Sequence, residues 1–292
     1  MKPKLIAVVG PTASGKTALA LRLSREVSGA VISADSRQVY AGMNIGTARP
    51  AEAWREAAHD EFTADMVSGI PHFLLNIREP NRLITLAEWQ LAAFSIADRL
   101  IETGYTPLLV GGTMLYADSV IYNFSIPRVA PQPGLREKLT QRDSADLYAE
   151  LLSRDPAASR FIEPHHTRRI IRALEVMEVS GKRFSEMRQR STPRYGIQLI
   201  GIFPGWDTLE NAIRERTHAM LAEGLVAERQ HLIDRYGADL PLWQTVNYKE
   251  APDLEAMVRA NMRYARRQMS WWRKNKEIAW FEKEAKVASN FI

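Results

Sequence analysis

The run Leu5-Ile6-Ala7-Val8-Val9, followed by Gly10-Pro11-Thr12-Ala13-Ser14-Gly15-Lys16-Thr17, decides the fold. Five apolar residues bounded by Lys4 and Gly10 read as a buried parallel strand. Beyond the motif, Ala18, Leu19, Leu21, Leu23 and Val27 lie among Arg22, Ser24, Arg25 and Glu26, as in a surface helix. The segment between them is a complete G-x-x-x-x-G-K-[ST] phosphate loop in its proper strand–loop–helix context. Gly10 and Gly15 let the backbone curl so that successive N–H groups converge on phosphate oxygens. The helix N-terminus adds its dipole, Lys16 a cation, and Thr17 a hydroxyl for a phosphate-bound magnesium. The motif does not say which phosphate compound it holds.

Working outward, Ala30–Ser33 reads as a second strand that ends in Asp35-Ser36-Arg37-Gln38-Val39-Tyr40. Residues 51–70 look helical and then turn, and Phe73–Ile77 is a candidate strand. Leu86–Thr103 is a helix, with Leu86, Trp89, Ala93, Ile96 and Leu100 on one face and Gly104 closing it. Thr106–Val110 is a strand that breaks at Gly111-Gly112-Thr113. This alternation predicts an α/β fold, a P-loop NTPase-like parallel sheet flanked by helices. Ligands of such sheets sit at the carboxyl ends of strands, so the loops 10–17, 35–40 and 111–116 should meet.

The character changes at Pro127, Pro131, Pro133 and Gly134. Residues 135–190 are polar, charged and helical in pattern. Pro193-Arg194-Tyr195-Gly196 is a second break, and Ile197–Phe203 returns to strand. The expected organisation is a core of residues 1–127 and 196–292 with a helical insertion over 128–195. From Leu209 the chain is helical again and ends in a basic helix.

That helix stands out. From Arg259 to Lys276 there are seven Lys or Arg and no Asp or Glu. Val258, Met262, Ala265, Met269 and Trp272 form an apolar stripe, and Arg259, Arg263, Arg266, Arg267, Arg273 and Lys274 fall to one side of it. An ordinary surface helix mixes charge signs, so the missing acids favour a polyanionic partner over a merely solvated face.

Composition excludes several classes. No apolar run approaches the about 18–20 residues of a membrane span, and Met1-Lys2-Pro3-Lys4 leads directly into the first strand. With no cysteine there is no disulfide, thiolate metal site or cysteine nucleophile, which fits a cytoplasmic setting. Of six histidines, only His165-His166 cluster, on a polar segment without metal-ligand spacing.

Phosphate-loop ATPases place an acid at the end of a later core strand. Here that strand runs into Gly111-Gly112-Thr113 instead, and the nearest acid is Asp35. Asp35 either faces the bound phosphate compound or, with Ser36, caps a turn. The paired glycines either make a tight turn or let backbone approach a ligand, with the Thr113 hydroxyl free for a leaving oxygen. Arg168, Arg169 and Arg172 lie on a predicted helix with Ile170, Leu174 and Met177 inside. Kinase lids carry arginines so spaced, so this set does not discriminate.

Taken together, Gly10–Thr17 (GPTASGKT), Asp35–Tyr40 (DSRQVY), Gly42–Pro50 (GMNIGTARP), Leu109–Tyr116 (LVGGTMLY), Arg172–Val176 (RALEV), Ser180-Gly181-Lys182 and Arg266–Arg273 (RRQMSWWR) resemble the tRNA dimethylallyltransferases, also called tRNA isopentenyltransferases. The blocks fall in family order over nearly the whole chain. The resemblance implies transfer of a dimethylallyl group from dimethylallyl diphosphate to the exocyclic amine of the adenine 3′ of a tRNA anticodon, with release of diphosphate. It implies Asp35 as general base and Thr113 at the leaving oxygen. The loop Gly10, Pro11, Thr12, Ala13, Ser14, Gly15, Lys16 and Thr17 would hold the diphosphate, with Mg2+ on Thr17 and Arg216 as a further cation. Asp35, Ser36, Arg37, Gln38, Arg136, Arg168, Arg169, Ile170, Ile171, Arg172, Arg263, Arg266, Arg267 and Arg273 would face the anticodon stem-loop. It implies a cytoplasmic monomer with no protein or membrane partner.

The alternatives are a free-adenylate isopentenyltransferase, which needs no long RNA surface, and a small-molecule P-loop kinase. A non-enzymatic RNA-binding module is opposed by the intact Lys16, Thr17, Asp35 and Thr113. One block departs from the family: Val246-Asn247-Tyr248-Lys249-Glu250 stands where Val-Gly-Tyr-Arg-Gln is usual. Asn adopts the left-handed conformation almost as readily as Gly, so the turn should survive. The segment 51–72 is also longer than in compact bacterial members.

Overall fold

Apolar runs at β1 (Lys4–Val9), β2 (Gly29–Ser33) and β5 (Thr106–Val110) are buried on both faces, the condition that parallel strands require. They form the centre of a sheet completed by β3 (Asp65–Val67), β4 (Ile70–Phe73), β6 (Gly196–Ile202) and β7 (Ala279–Phe281). This computed structural model describes residues 2–50, 59–187, 191–283 and 287. Strand order is β3-β4-β2-β5-β1-β6-β7, and every pairing is parallel except β3 with β4. β1 is flanked by β5 and β6, with Val8 opposite Val110 on one side and Ile200 on the other. Val110 also faces Ser33, so β1, β2 and β5 end side by side.

Helix α1 (Lys16–Glu26) packs Leu19 and Leu23 onto Ile6, Val8 and Val31 of the sheet. α2 (Leu86–Glu102) and α3 (Met114–Ile121) bury Trp89, Ala93, Ile96 and Val120. Two compact units result, one of Met1–Ile84, Glu88–Ile121 and Pro193–Ile292, the other of Thr85–Ala87 and Tyr122–Thr192. The second is helical, with α4 (Pro133–Thr140), α5 (Ser144–Arg154), α6 (Thr167–Ser180) and α7 (Phe184–Met187). Asp143 caps α5 by accepting from the Ala145 amide, and α6 stops at Gly181. Leu139, Leu147, Leu151, Ile162 and Leu174 form its core.

In the first unit α8 (Trp206–Ala222), α9 (Leu225–Tyr236) and α10 (Leu254–Trp272) lie between β6 and β7. All five residues of the apolar stripe of α10 are buried, and Val258, Met262 and Ala265 lie against Leu209 and Ile213 of α8.

Three expectations change. The fourth strand lies at Ile70–Phe73, not Phe73–Ile77, because Leu74 and Asn76 take positive φ angles of 62° and 55° that end an extended run. Part of the predicted helix over 51–70 falls on 51–58, outside the described residues; its end, Asp65–Val67, is an edge strand. The chain does not stop at the basic helix either, since Ala279–Phe281 adds the strand beside β6.

Candidate active site

The phosphate loop leaves β1 and enters α1 through Gly15, which caps the helix at φ 93° with no side-chain hydrogen bond. The first-turn amides are therefore left to face the loop's ligand. Lys16 Nζ donates to the Pro11 carbonyl at 2.5 Å. Ser14 Oγ is buried with no hydrogen-bond partner among the described residues, an orphan donor of the kind an oxyanion satisfies. A cavity of about 250 Å³ lies over the loop and is also walled by Asp35, Gln38, Gly111, Arg216, Tyr264 and Gln268. The three loops at 10–17, 35–40 and 111–116 meet in space. An adjoining cavity of about 260 Å³ shares Thr12, Asp35, Thr47, Ala48, Arg216 and Tyr264, and extends to Met220, Val246 and Arg267.

Asp35 takes both roles that its sequence position allows. Its Oδ1 caps the turn, accepting from the Arg37 amide at 2.8 Å and the Gln38 amide at 3.4 Å. Its Oδ2 accepts no hydrogen bond among the described residues, and Asp35 lines both cavities. The Thr113 hydroxyl is not free, as the sequence suggested. Its oxygen accepts from the Ser36 amide at 3.0 Å and stands 3.3 Å from Ser36 Oγ, stapling the loop after β5 to the loop after β2. Its proton is donated to Ser36 Oγ, so a substrate oxygen would have to compete for it. Gln38 holds its amide inside the unit, on Ser33 and on the carbonyls of Thr47 and Ala48.

Two cations converge here. Burial, then the nearby Arg216, pull Lys16 down to about 7 against the opposing pull of Asp35. Burial likewise lowers Arg216 to about 10, with Asp35 acting the other way. A site that strains two positive heads in this way gains most from a multivalent anion. Burial and the charge of Asp35 raise Tyr264 to about 12, so it faces the cavity as a neutral phenol.

The basic helix reaches the site through residues that the charge pattern did not single out. Gln268, only 1% exposed, accepts from the Thr12 amide at 2.8 Å and donates to the Gly112 carbonyl at 2.8 Å. A side chain on residue 112 would have its Cβ 2.3 Å from Gln268 Nε2, so the second glycine of the turn is required by close approach. A polar residue beside Met269 on the buried stripe was the available signal. The Glu228 carboxylate accepts from the amides of Asn44, Ile45 and Gly46 at 2.8–3.1 Å and from the Tyr248 hydroxyl at 2.6 Å, and so fixes loop 42–50. Nothing in the sequence marked it. Asn247 adopts φ 79°, so the turn expected of the altered block is present.

Arg263, Arg266, Arg267 and Arg273 are exposed on α10 or at its C-terminal end. Arg266 lies 6.0 Å from the Trp206 ring and Arg273 5.7 Å from that of Phe203, contacts that hold the guanidinium groups without neutralising them. In the helical unit Arg168 and Arg169 are exposed at the start of α6, whereas the Ile170 and Ile171 side chains are buried in its core. Arg136 and Arg172 grip the fully buried Glu175 at 2.7 and 2.5 Å. Desolvation pushes that carboxyl up, but the Arg136, Gln132 amide and Arg172 hydrogen bonds outweigh it and hold Glu175 at about 2. Also in this unit, Glu163, His165 and His166 bring ligand atoms within 4.8 Å of one another at a largely exposed site.

Fold and site together define a phosphate-loop α/β protein in which an acid and two half-buried cations line a cavity over the loop, with a hydroxyl on the wall of the adjoining one. A family model described as IPP transferase matches residues 38–275, and one described as isopentenyl transferase matches 3–64. The chain belongs to the IPP transferase family. It is 41% identical over 296 aligned positions to the tRNA dimethylallyltransferase of Gloeothece citriformis, covering 98% of this chain and 93% of that protein. It is 37% identical to that of Synechococcus elongatus, covering 98% and 92%. Among solved structures, the tRNA isopentenylpyrophosphate transferase of Bacillus halodurans superposes with a TM-score of 0.67 at 34% identity, over 96% of this chain and 90% of that one. A eukaryotic dimethylallyltransferase acting on tRNA shares the fold with a TM-score of 0.76 at 22% identity, over 92% and 70%.

Proposed function

We propose that the chain transfers a dimethylallyl group from dimethylallyl diphosphate to N6 of the adenine 3′-adjacent to the anticodon, position 37, in tRNA. The observation that carries this reading is Asp35, one carboxylate oxygen of which accepts no hydrogen bond among the described residues, on the wall of a cavity shared with the phosphate loop, Lys16 and Arg216. An adenine amine is a poor nucleophile because its lone pair is delocalised into the ring. Proton removal by a placed carboxylate contributes roughly 10²–10⁴-fold. On the donor side, the allylic carbon–oxygen bond breaks as charge develops on the diphosphate. Loop amides, Lys16, Arg216 and the Thr113 hydroxyl surround that charge before it forms. The new bond joins N6 to the allylic carbon, diphosphate leaves, and the amine proton passes to Asp35.

Magnesium suits the hard oxygen donors here: the Thr17 hydroxyl borders the same cavity as the orphan Ser14 Oγ. When bound it would supply further positive charge at the diphosphate. The target base stacks in the anticodon loop and must be turned outward to reach Asp35. The exposed arginines of α10 would hold the RNA backbone meanwhile, and the helical unit offers its own at the start of α6. No helix among the described residues is long and apolar enough to cross a membrane. A cytoplasmic, monomeric enzyme is the reading that accords with the sequence.

Mass spectrometry of tRNA nucleosides after incubation with dimethylallyl diphosphate and magnesium tests the proposal. N6-dimethylallyladenosine at position 37 is expected. Folded protein that yields only unmodified adenosine there overturns it.

A further inference from the structure

Behind Arg216 two asparagine amides are joined side chain to side chain. Asn261 on α10 is 2% exposed, and Asn247 in the turn before α10 is 5% exposed. Asn261 Nδ2 donates to Asn247 Oδ1 at 2.6 Å and to the Met257 carbonyl at 2.9 Å. Asn247 Nδ2 donates to the Gly46 carbonyl at 2.8 Å. Both amide protons of Asn261 are thereby committed, and its Oδ1 accepts from Arg216 at 3.1 Å.

The direction of each amide is fixed rather than arbitrary. Met257 and Gly46 contribute carbonyls, which accept only, so the NH2 ends must face them. Turning Asn261 over would set its NH2 against the Arg216 guanidinium and its oxygen against the Met257 carbonyl. We infer that the Asn247–Asn261 pair is a positioning device for Arg216, presenting one acceptor that aims the guanidinium at the diphosphate cavity. The inference rests on the proposed function in taking Arg216 to serve the diphosphate. It goes further in naming two residues that hold Arg216 and touch no reacting atom.

Arg216 needs such a device. A half-buried guanidinium carries five donors in a rigid plane, and a small rotation moves its charge off the cavity. Asn247 is the residue at which this chain departs from the glycine of the usual block. Its left-handed φ of 79° keeps the turn, and its side chain supplies the contact that a glycine lacks. Loop 42–50, the turn at 245–250, α8 and α10 are thereby linked through Gly46, Asn247, Arg216 and Asn261.

The test is a double-mutant cycle on the full chain, read first by calorimetry with inorganic diphosphate and then by single-turnover prenyl transfer to tRNA. Asn261→Leu, close in volume and without an acceptor, should weaken diphosphate binding about 5–10-fold and slow transfer by at least as much. With Arg216→Lys already present, the same change should cost less than about twofold. Asn247→Gly keeps the backbone conformation, and should give a smaller loss that also vanishes beside Arg216→Lys. It covers the case in which Asn261→Leu fails to fold. Equal losses in both backgrounds would make the pair ordinary packing and overturn the inference, as would unchanged diphosphate affinity in the first. The diphosphate reading needs no prenyl transfer, so a chain that shows the coupling but no prenylated adenosine refutes the proposed function and leaves the inference standing.

Discussion

The Thr12 amide in the phosphate loop donates to Gln268 Oε1 in the basic helix across 2.8 Å, although 256 positions separate them. The same side chain donates to the Gly112 carbonyl, so one buried amide joins the phosphate loop, the turn after β5 and the helix that carries the arginines. Gln268→Ala should leave two buried backbone groups unpaired, at about 1–3 kcal/mol each. A lower Tm and a rise in diphosphate Kd should appear together, with circular dichroism and calorimetry as the checks. A lower Tm with unchanged affinity would limit Gln268 to stability.

Asp35→Asn preserves the turn cap, because an amide oxygen can accept from the Arg37 amide as Oδ1 does. It removes the proposed base. Single-turnover transfer should fall by about 10²-fold or more, with tRNA affinity within a few-fold of the parent. Near-parental rates would leave Asp35 with the turn alone.

Lys16 gives the site a pH signature. Its free-state value of about 7 rises when a diphosphate binds beside it, so binding takes up a proton above that pH. Inorganic diphosphate should bind progressively more weakly from about pH 7 upward. Calorimetry at pH 8 in buffers of different ionisation enthalpy should show proton uptake greater by almost one in the parent than in Lys16→Met, the ligand's own protons cancelling between the two. Equal uptake in parent and variant would assign the proton elsewhere.

The cationic face of α10 can be dissected by salt. Replacing Arg263, Arg267 and Lys274 with Gln should flatten the slope of log Kd for tRNA against log salt, since each lost phosphate contact removes about 0.7–0.9 from it. Diphosphate affinity should change little, most of the donor's contacts lying elsewhere. An unaltered slope would return the helix to an ordinary solvated surface.

Glu175 makes the helical unit pH-sensitive at the acid end. Its carboxyl titrates near 2 in the fold against an ordinary 4.5. The stability this supplies is present above about pH 4.5 and drains away as pH falls toward 2. Glu175→Gln should therefore lower stability at pH 7 by about 1–3 kcal/mol, since hydrogen bonds to a charged group are lost. The gap to the parent in urea melts should close on acidification through that window. A gap constant from pH 7 to 3 would make the loss steric.

The sequence carried the architecture wherever one local signal dominated. The burial of β1, β2 and β5, the phosphate loop and the apolar stripe of α10 each follow from residues close together in the chain. Signals failed where partners are distant. Phe73–Ile77 is as apolar as a strand, yet Leu74 and Asn76 curl because Asn76 and Ile77 bond to the backbone of Gln38 and Val39. Thr113 looked free because its partner, Ser36, belongs to another strand end. Gln268, Glu228 and Asn261 act through contacts that only folding creates, and no spacing rule reaches them.

Glu228 has one more consequence. Three consecutive amides at 44–46 close on its carboxylate, much as the phosphate loop is shaped to close on a phosphate. The wall of the cavity thus contains two anion receptors built from backbone, and the protein has plugged one of them with its own side chain. In the proposed reaction an incoming diphosphate would meet the Glu228 carboxylate, not open amides, beside Gly46, and would be left the loop that carries Lys16.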